Sequence, residues 1–441
     1  MFSGIRRSFR GINCKLYLAL LLMGFVPTIY NTLRVFFLGQ LPGEYAYSIA
    51  GQLSWVNLLY EITGEAIILP LFYFMGKTKR DRAAFSNMIR SGLLITGVIY
   101  SLLSAFVMLF AEPLLALMAA DPGIAAASAA YIRIESVANL FAILGQFVLV
   151  ALVTIDKEAY LYAFTGVRLL LCLVLDAFLV SGLPISANLG VNGIGYSNIL
   201  VNIILLALSA ALLSREKIRI FTKKPLRFQW MREFLRVGGI SGLESLVRNV
   251  AYMVMVSRMV NIVNEQGTYW VANQFIWGWL LLPVLQLGEL IKQEVSSDKK
   301  RIRDNSPGYF GITTILVMIW VVSIPAWKPF MAYVLGFSDV EKLFELVVLL
   351  IVFYIPFAFQ NVFDAVFYGL GKTNYMLFES IATNLVYYGT AFVLYKTGSW
   401  MPTLTGIALL FGFGNLFDSF VSFLAYRVLL KKEKLRRSDM K

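Results

Sequence analysis

Residues 215–229 read Arg-Glu-Lys-Ile-Arg-Ile-Phe-Thr-Lys-Lys-Pro-Leu-Arg-Phe-Gln and stand near the midpoint of a 441-residue chain, between two long apolar blocks. The blocks repeat each other. Tyr47, Ala50, Gln52 and Trp55 return as Tyr269, Ala272, Gln274 and Trp277, at a constant offset of 222. Lys157 and Tyr160 return as Lys372 and Tyr375, at an offset of 215. Gly193, Ile194, Asn202 and Ser209 return as Gly406, Ile407, Asn415 and Ser422, at an offset of 213. The matches keep chain order and the offset drifts slowly, as loops of unequal length make it drift. The chain is read as a duplicated unit, a device common among polytopic membrane folds.

Composition names the solvent. Hydrophobic residues make up 59% of the chain and charged ones 15%, with a mean hydropathy of +0.71. A water-soluble core of this length requires more polar surface than that. The chain has no histidine, so imidazole is excluded as proton carrier, metal ligand or base. Cys14 and Cys172 are far apart in the expected topology and give no disulfide framework. The basic stretch Met1–Arg10 precedes an apolar run long enough to span and without a small-residue cleavage pattern, so no cleavable signal is expected.

A spanning helix needs about 20 mostly apolar residues. Twelve stretches qualify: 15–39, 46–75, 84–110, 124–154, 158–183, 189–214, 230–262, 268–291, 308–334, 342–370, 373–397 and 401–430. The expected fold class is an all-α polytopic membrane protein, with twelve transmembrane helices as two pseudo-symmetric six-helix lobes. The lobes are 1–214 and 230–441, the latter ending in a basic tail, and 215–229 is a basic linker. Six spans per lobe mean that both lobes enter the membrane in the same direction.

Lysine and arginine set the orientation. The segments 1–15, 77–90, 157, 215–236, 292–303, 372 and 427–441 carry 31 of the 39 basic residues. The opposite loops carry only Lys328, Lys342 and Lys396. Both termini are therefore expected in the cytoplasm, with the protein in the cell (inner) membrane. The net charge of +13 follows from topology and anionic lipid heads, so no nucleic-acid partner is expected. Turns are expected at Leu41-Pro42-Gly43-Glu44 outside and at Gly371-Lys372-Thr373-Asn374 inside. No Gly-rich phosphate loop is present and the linker is too short for a nucleotide-binding domain, which excludes ATP hydrolysis by this chain. No metal cluster or nucleophile constellation points to an enzyme.

Ionisable groups inside spans are costly, and they form the short list of functional residues. Glu61 and Glu65 lie four apart on one face of the second span. They read either as a proton or sodium site or as salt-bridge partners of Arg34. Glu244 and Arg248 are also four apart, a pairing that lets both enter the membrane, or a coupling carboxylate that changes partner. Asp364 has no basic residue at helical spacing. Asp418 is a further candidate. Arg168 and Asp176 read as structural or cavity-lining, Arg133 and Glu135 as reaching interfacial water, and Glu289 and Glu379 as solvated at helix ends. Glu61, Glu65, Glu244 and Asp364 are the ion-coupling candidates. Arg34, Trp55, Tyr60, Arg248, Trp277, Phe357, Gln360 and Asp418 are the substrate-binding candidates, since aromatics beside carboxylates suit a flat apolar cation. Pro27, Pro70, Pro283, Pro325 and Pro356 are expected to kink their helices, as static bends or as gating hinges.

The chain resembles the multidrug and toxic compound extrusion (MATE) family of the flippase-like superfamily over nearly its whole length. The likeness rests on the two six-span lobes and on local stretches. Leu117–Tyr131, with Ala-Asp-Pro-Gly, resembles that family's approach to helix four, and Gly190–Ser209, with Gly-Val-Asn-Gly-Ile-Gly, its helix six. Phe359-Gln360-Asn361-Val362-Phe363-Asp364-Ala365 and Gly242-Leu243-Glu244 resemble the acidic segments of helices ten and seven in its NorM-type branch. One departure stands out. Related proteins often carry an aspartate on helix one, where Asn31-Thr32-Leu33-Arg34 places an arginine.

The resemblance implies antiport. An amphipathic, cationic organic compound leaves while H⁺ or Na⁺ enters, with Glu244 and Asp364 as coupling residues and no cofactor beyond the ion. The partners expected are a small-molecule substrate and the lipid bilayer, with the protein acting as a monomer. The alternative is an exporter or flippase of anionic or lipid-linked cargo, because five arginines (Arg34, Arg133, Arg168, Arg248 and Arg258) lie within spans and arginine pairs well with phosphate. That reading requires the arginines to converge without carboxylate partners.

Overall fold

The computed structural model describes residues 8–9, 11–41, 45–78, 81–155, 159–216, 218 and 225–433. Residues 217 and 219–224 of the linker, the outer turn at 42–44, Lys157 and the tail beyond 433 lie outside the described residues. The described chain is helical almost throughout. Lipid supplies no hydrogen bonds, so the backbone must satisfy its own, and the helix does this within one segment.

Its helices are α1 (Cys14–Gly39), α2 (Ala46–Thr78), α3 (Arg82–Leu109), a short α4 (Ala111–Leu117), α5 (Pro122–Thr154), α6 (Ala159–Leu179) and α7 (Val191–Arg215). Beyond the linker come α8 (Met231–Tyr252), α9 (Arg258–Ile262), α10 (Gln266–Phe275), α11 (Leu282–Ser297), α12 (Lys300–Tyr333), α13 (Val340–Gly369), α14 (Thr373–Ile381), α15 (Gly389–Lys396) and α16 (Leu404–Lys432). Three π-helical stretches, Met253–Ser257, Ile276–Leu280 and Ala382–Tyr388, interrupt the second half. The ends obey local chemistry. Asp81 accepts from the N–H groups of Ala83 and Ala84, and Thr403 from that of Gly406. The inner turn takes Gly371 into the left-handed region, with φ +65°.

Eight of the described helices are long and apolar enough to cross a membrane, and nine if the bent pair Gln266–Leu280 and Leu282–Ser297 is one span. The three expected spans that do not meet this measure are helical all the same. In α8 the apolar run is broken by Arg232, Glu233, Arg236, Glu244 and Arg248, while α2 carries Glu61 and Glu65 within an otherwise apolar stretch. The stretch 373–397 is divided into α14, a π stretch and α15, each too short alone. Large apolar side chains lie bare on the outside, with Leu102 66% and Val322 78% exposed. Scattered apolar exposure on this scale suits lipid as the surrounding medium, and the chain is a multi-pass membrane protein.

Of the five prolines expected to bend helices, Pro283 stands at a bend. It opens α11 directly after the π stretch at 276–280, and the axes of the pair meet at 51°. Pro27, Pro70, Pro325 and Pro356 sit inside continuous helices.

The chain forms two compact units, and their limits differ from the sequence lobes. One unit is Arg34–Gly267; the other joins Met1–Leu33 to Thr268–Lys441. In the first, α5 packs on α2, α3 and α7, α2 packs also on α3 and α8, and α7 also on α6. Gly238 and Gly242 of α8 face α2: a Cβ at Gly238 would fall on the Ala66 carbonyl, and one at Gly242 would lie 2.7 Å from the Ala66 Cβ. Two backbones this close require glycine at both positions.

In the second unit α13 is the hub, flanked by α11, α12, α14 and α16. Its core includes Ile12, Leu290, Ile302, Val362, Phe367 and Leu429. The start of the chain is tied in by Glu294, which is buried. Glu294 accepts from the Asn13 backbone N–H at 2.8 Å, from Asn305 Nδ2 at 3.0 Å and from the Tyr309 hydroxyl. Residues up to Leu33 of α1 belong to this unit: Thr28 Oγ1 donates to the Gly278 carbonyl and Trp279 Nε1 to Thr32 Oγ1, both at 3.0 Å.

Candidate functional site

In the unit Arg34–Gly267, α2 and α8 hold three glutamates around one arginine. Arg248 Nη2 reaches Glu65 Oε1 at 2.7 Å and Glu61 Oε1 at 3.2 Å, and its Nη1 reaches Glu244 Oε1 at 3.3 Å. Spacing explains the arrangement. Glu61 and Glu65 lie on successive turns of α2, and Glu244 and Arg248 on successive turns of α8. The Gly238 and Gly242 seam brings the two helices within reach. The carboxylates outnumber the guanidinium by three to one, and Glu61 is 47% exposed against 16% for Glu244. The group is open on one side.

Arg34 is elsewhere in the same unit. It does not pair with Glu61 or Glu65, as one reading of the sequence had it. Its Nε and Nη2 donate to the two carboxylate oxygens of Asp176 at 2.7 and 3.3 Å, and its Nη2 to Asn198 Oδ1 at 2.8 Å. Asn198 Nδ2 in turn donates to Glu135 Oε1 at 2.8 Å. Arg34, Asp176 and Glu135 are all buried. Glu135 therefore faces the interior and not interfacial water, while Arg133 does reach the surface and pairs with Glu112 at 3.0 Å. Trp55 and Tyr60 are packed inside the unit. The Trp55 indole donates to Gln52 at 3.0 Å, the Tyr60 hydroxyl hydrogen-bonds with that of Ser104 at 2.9 Å, and its ring stacks on Tyr100.

In the other unit, α13 and α16 carry an acid-rich group. Gln360 Nε2 donates to Asp418 Oδ2 at 2.6 Å, Thr383 Oγ1 to Asp418 Oδ1 at 2.7 Å, and Ser419 Oγ to Gln360 Oε1 at 2.8 Å. Ser422 Oγ donates to Asp364 Oδ1 at 2.9 Å. Asp364, Gln360, Asp418 and the buried Glu379 thus gather where α13, α14, the π stretch 382–388 and α16 meet. The carboxylates rest on neutral hydroxyl and amide donors. Glu379 is not solvated at a helix end; its Oε1 is buried without a hydrogen-bond partner, as is Asn415 Nδ2. Glu289 is exposed and pairs with Lys292 at 2.6 Å.

Trp277 and Phe357 form a separate aromatic group in this unit. The Trp277 indole donates to the Tyr354 hydroxyl at 3.1 Å, with ring centroids 6.0 Å from Tyr354 and 5.8 Å from Phe357. Trp277 lies in one π stretch and Thr383 in another. A π turn shifts the side chains after it by one position, and such turns are frequent at functional sites.

Sequence reasoning missed Thr383, Ser419, Glu379, Asn198 and Glu135 as members of these groups. A signal existed for Ser422, which the internal repeat pairs with Ser209.

No protein-family model matches the sequence, and no curated protein matches it. Solved structures match nearly end to end. A multidrug resistance MATE family transporter of the MOP superfamily, in an inward-facing conformation, aligns with a TM-score of 0.75 at 18% identity, covering 96% of this chain and 99% of that one. A mutant of the Vibrio cholerae MATE transporter VcmN gives a TM-score of 0.68 at 15% identity, covering 98% of each chain. A MOP superfamily transporter from Pyrococcus furiosus, whose reversed binding-pocket polarity suggests a different function for it, gives 0.66 at 18% identity over 98% of each chain. The chain has the fold of the MATE transporters of the MOP superfamily.

Proposed function

We propose that the protein is a secondary active antiporter of twelve spans. It exports amphipathic, cationic organic compounds in exchange for H⁺ or Na⁺, from a cell membrane with both termini cytoplasmic. The observation that carries this reading is the three-to-one ratio of carboxylates to guanidinium at Arg248. Glutamates in that excess attract a further cation, and a partly open group lets one exchange for another. A proton or sodium ion that neutralises Glu61 or Glu65 loosens the hold of α2 on Arg248, and an organic cation competes for the same negative charge. The acid-rich group of Asp364, Asp418 and Glu379 supplies a second place where a small cation is stabilised. The solved relatives named above are transporters, which agrees with this reading.

The anionic-cargo reading finds less support. Arg34 and Arg168 do share neighbouring turns of α7, through Asn198 and Asn202, but Asp176 holds Arg34. Arg248 is held by three glutamates, and Arg258 donates to the Leu117 carbonyl at 3.0 Å.

The test is transport by the purified protein in liposomes. A cationic dye should move only when an H⁺ or Na⁺ gradient is imposed, and movement indifferent to both gradients rejects the proposal.

A further inference from the structure

Helices α12 and α16 both pack on α13 and make few contacts with each other, which leaves a groove between them. Phe363 of α13 is its floor. Phe310 of α12 forms one wall, and Phe423, Tyr426, Arg427 and Leu430 of α16 form the other. The rings are close-set: Phe363 stacks on Tyr426 with centroids 4.8 Å apart, and lies 5.8 Å from Phe310 and 6.0 Å from Phe423. About 460 Å³ of space is open in the groove. The guanidinium of Arg427 lies 5.8 Å from the centroid of the Phe423 ring, so one charge borders an otherwise apolar channel.

The groove lies where α12 begins and α13 and α16 end, and basic residues dominate there. Lys300, Arg301 and Arg303 stand in the first turn of α12, and Lys431 and Lys432 in the last turn of α16. Among the described residues, Asp304 pairs with Arg303 at 3.0 Å, and Glu433 with Lys299 and Lys372 at 3.8 and 3.3 Å.

We infer that this groove binds an anionic phospholipid, with an acyl chain along Phe310, Phe363 and Phe423 and the phosphate on Arg427. Three features select that occupant. The walls are aromatic and largely apolar, which suits a hydrocarbon chain. Arginine presents a fork that matches phosphate. The surplus of basic side chains at this end favours a headgroup of net negative charge over a zwitterionic one, whose ammonium they would repel. The groove's lining includes none of the carboxylates proposed for coupling, and the inference holds whatever the cargo is.

The test is native mass spectrometry of the full chain in detergent, titrated with phosphatidylglycerol or with phosphatidylcholine. Phosphatidylglycerol should bind more tightly, and Arg427→Gln should weaken it about fivefold, the ~1 kcal/mol that one basic side chain contributes near a membrane surface. Phe423→Ala should weaken both lipids, and Lys432→Gln should weaken phosphatidylglycerol clearly less than Arg427→Gln does. Equal binding of the two lipids by the unaltered protein overturns the proposal without any variant having to fold. Equal weakening by Arg427→Gln and Lys432→Gln also overturns it, since that marks diffuse attraction rather than a site.

Discussion

Arg34 on α1 and Asp176 on α6 meet through two hydrogen bonds, at 2.7 and 3.3 Å, in a place where both side chains are buried. A buried charge stripped of its partner is expensive, about 3–5 kcal/mol. Arg34→Ala and Asp176→Ala should each destabilise the purified protein by that amount in denaturant unfolding. Replacing both, Arg34→Met with Asp176→Leu, should restore more than half of the loss. Single variants as stable as the parent would mean that the pair does not hold the fold.

The Arg248 group should behave in the opposite way. Its members are partly exposed, and ion pairs of that kind contribute about 1 kcal/mol or less. Glu61→Gln with Glu65→Gln should therefore leave the unfolding midpoint nearly unchanged while cutting gradient-driven dye transport at least tenfold. Transport at the parent rate with both glutamates replaced would remove α2 from the coupling scheme.

Asp418 accepts from Thr383 and Gln360, and a hydrogen bond to a charged group contributes about 1.5–3 kcal/mol. Thr383→Val should destabilise by that much, and Thr383→Ser should not, because it keeps the hydroxyl. Asp364→Asn should abolish the dependence of transport on the imposed ion gradient. Unaltered gradient dependence would confine coupling to the other unit.

The α2–α8 seam gives a sharper test. Gly242→Ala meets the Ala66 Cβ, and Gly238→Ala meets the Ala66 carbonyl. Both should destabilise by about 1–3 kcal/mol through overpacking. Adding Ala66→Gly should rescue Gly242→Ala and not Gly238→Ala, since only the first clash involves a side chain. Rescue of both, or of neither, would show that the seam relaxes in another way.

Much of this was legible in the residues. Runs of apolar residues predicted helices, and each expected span is helical over most of its described residues. The pairing of Glu244 with Arg248 followed from a spacing of four on one helix. What escaped was everything that depends on which helices become neighbours. Arg34 was offered Glu61 and Glu65 because those carboxylates stood out in sequence; the partner it takes is Asp176, 142 positions away. Glu135 and Glu379 were read as solvated because position along a helix reports depth in the membrane, whereas burial depends on the face. The π stretches carry the same apolar composition as the α-helices around them, so nothing in the pattern marked Thr383.

The second unit is discontinuous in sequence, with residues up to Leu33 separated from Thr268–Lys441. During synthesis, at about 5–20 residues per second, the ribosome must work for on the order of tens of seconds after making Asn13 before Glu294 emerges to receive it. The unit Arg34–Gly267 has its full complement of helices by then, although Gly267 precedes Glu294 by only a few seconds of synthesis. Helix α1 is thus made early and docked late, and its first residues wait in the bilayer as an unmatched half. Slow elongation or a stall between those events prolongs that orphaned interval, and quality-control proteases have their best chance during it.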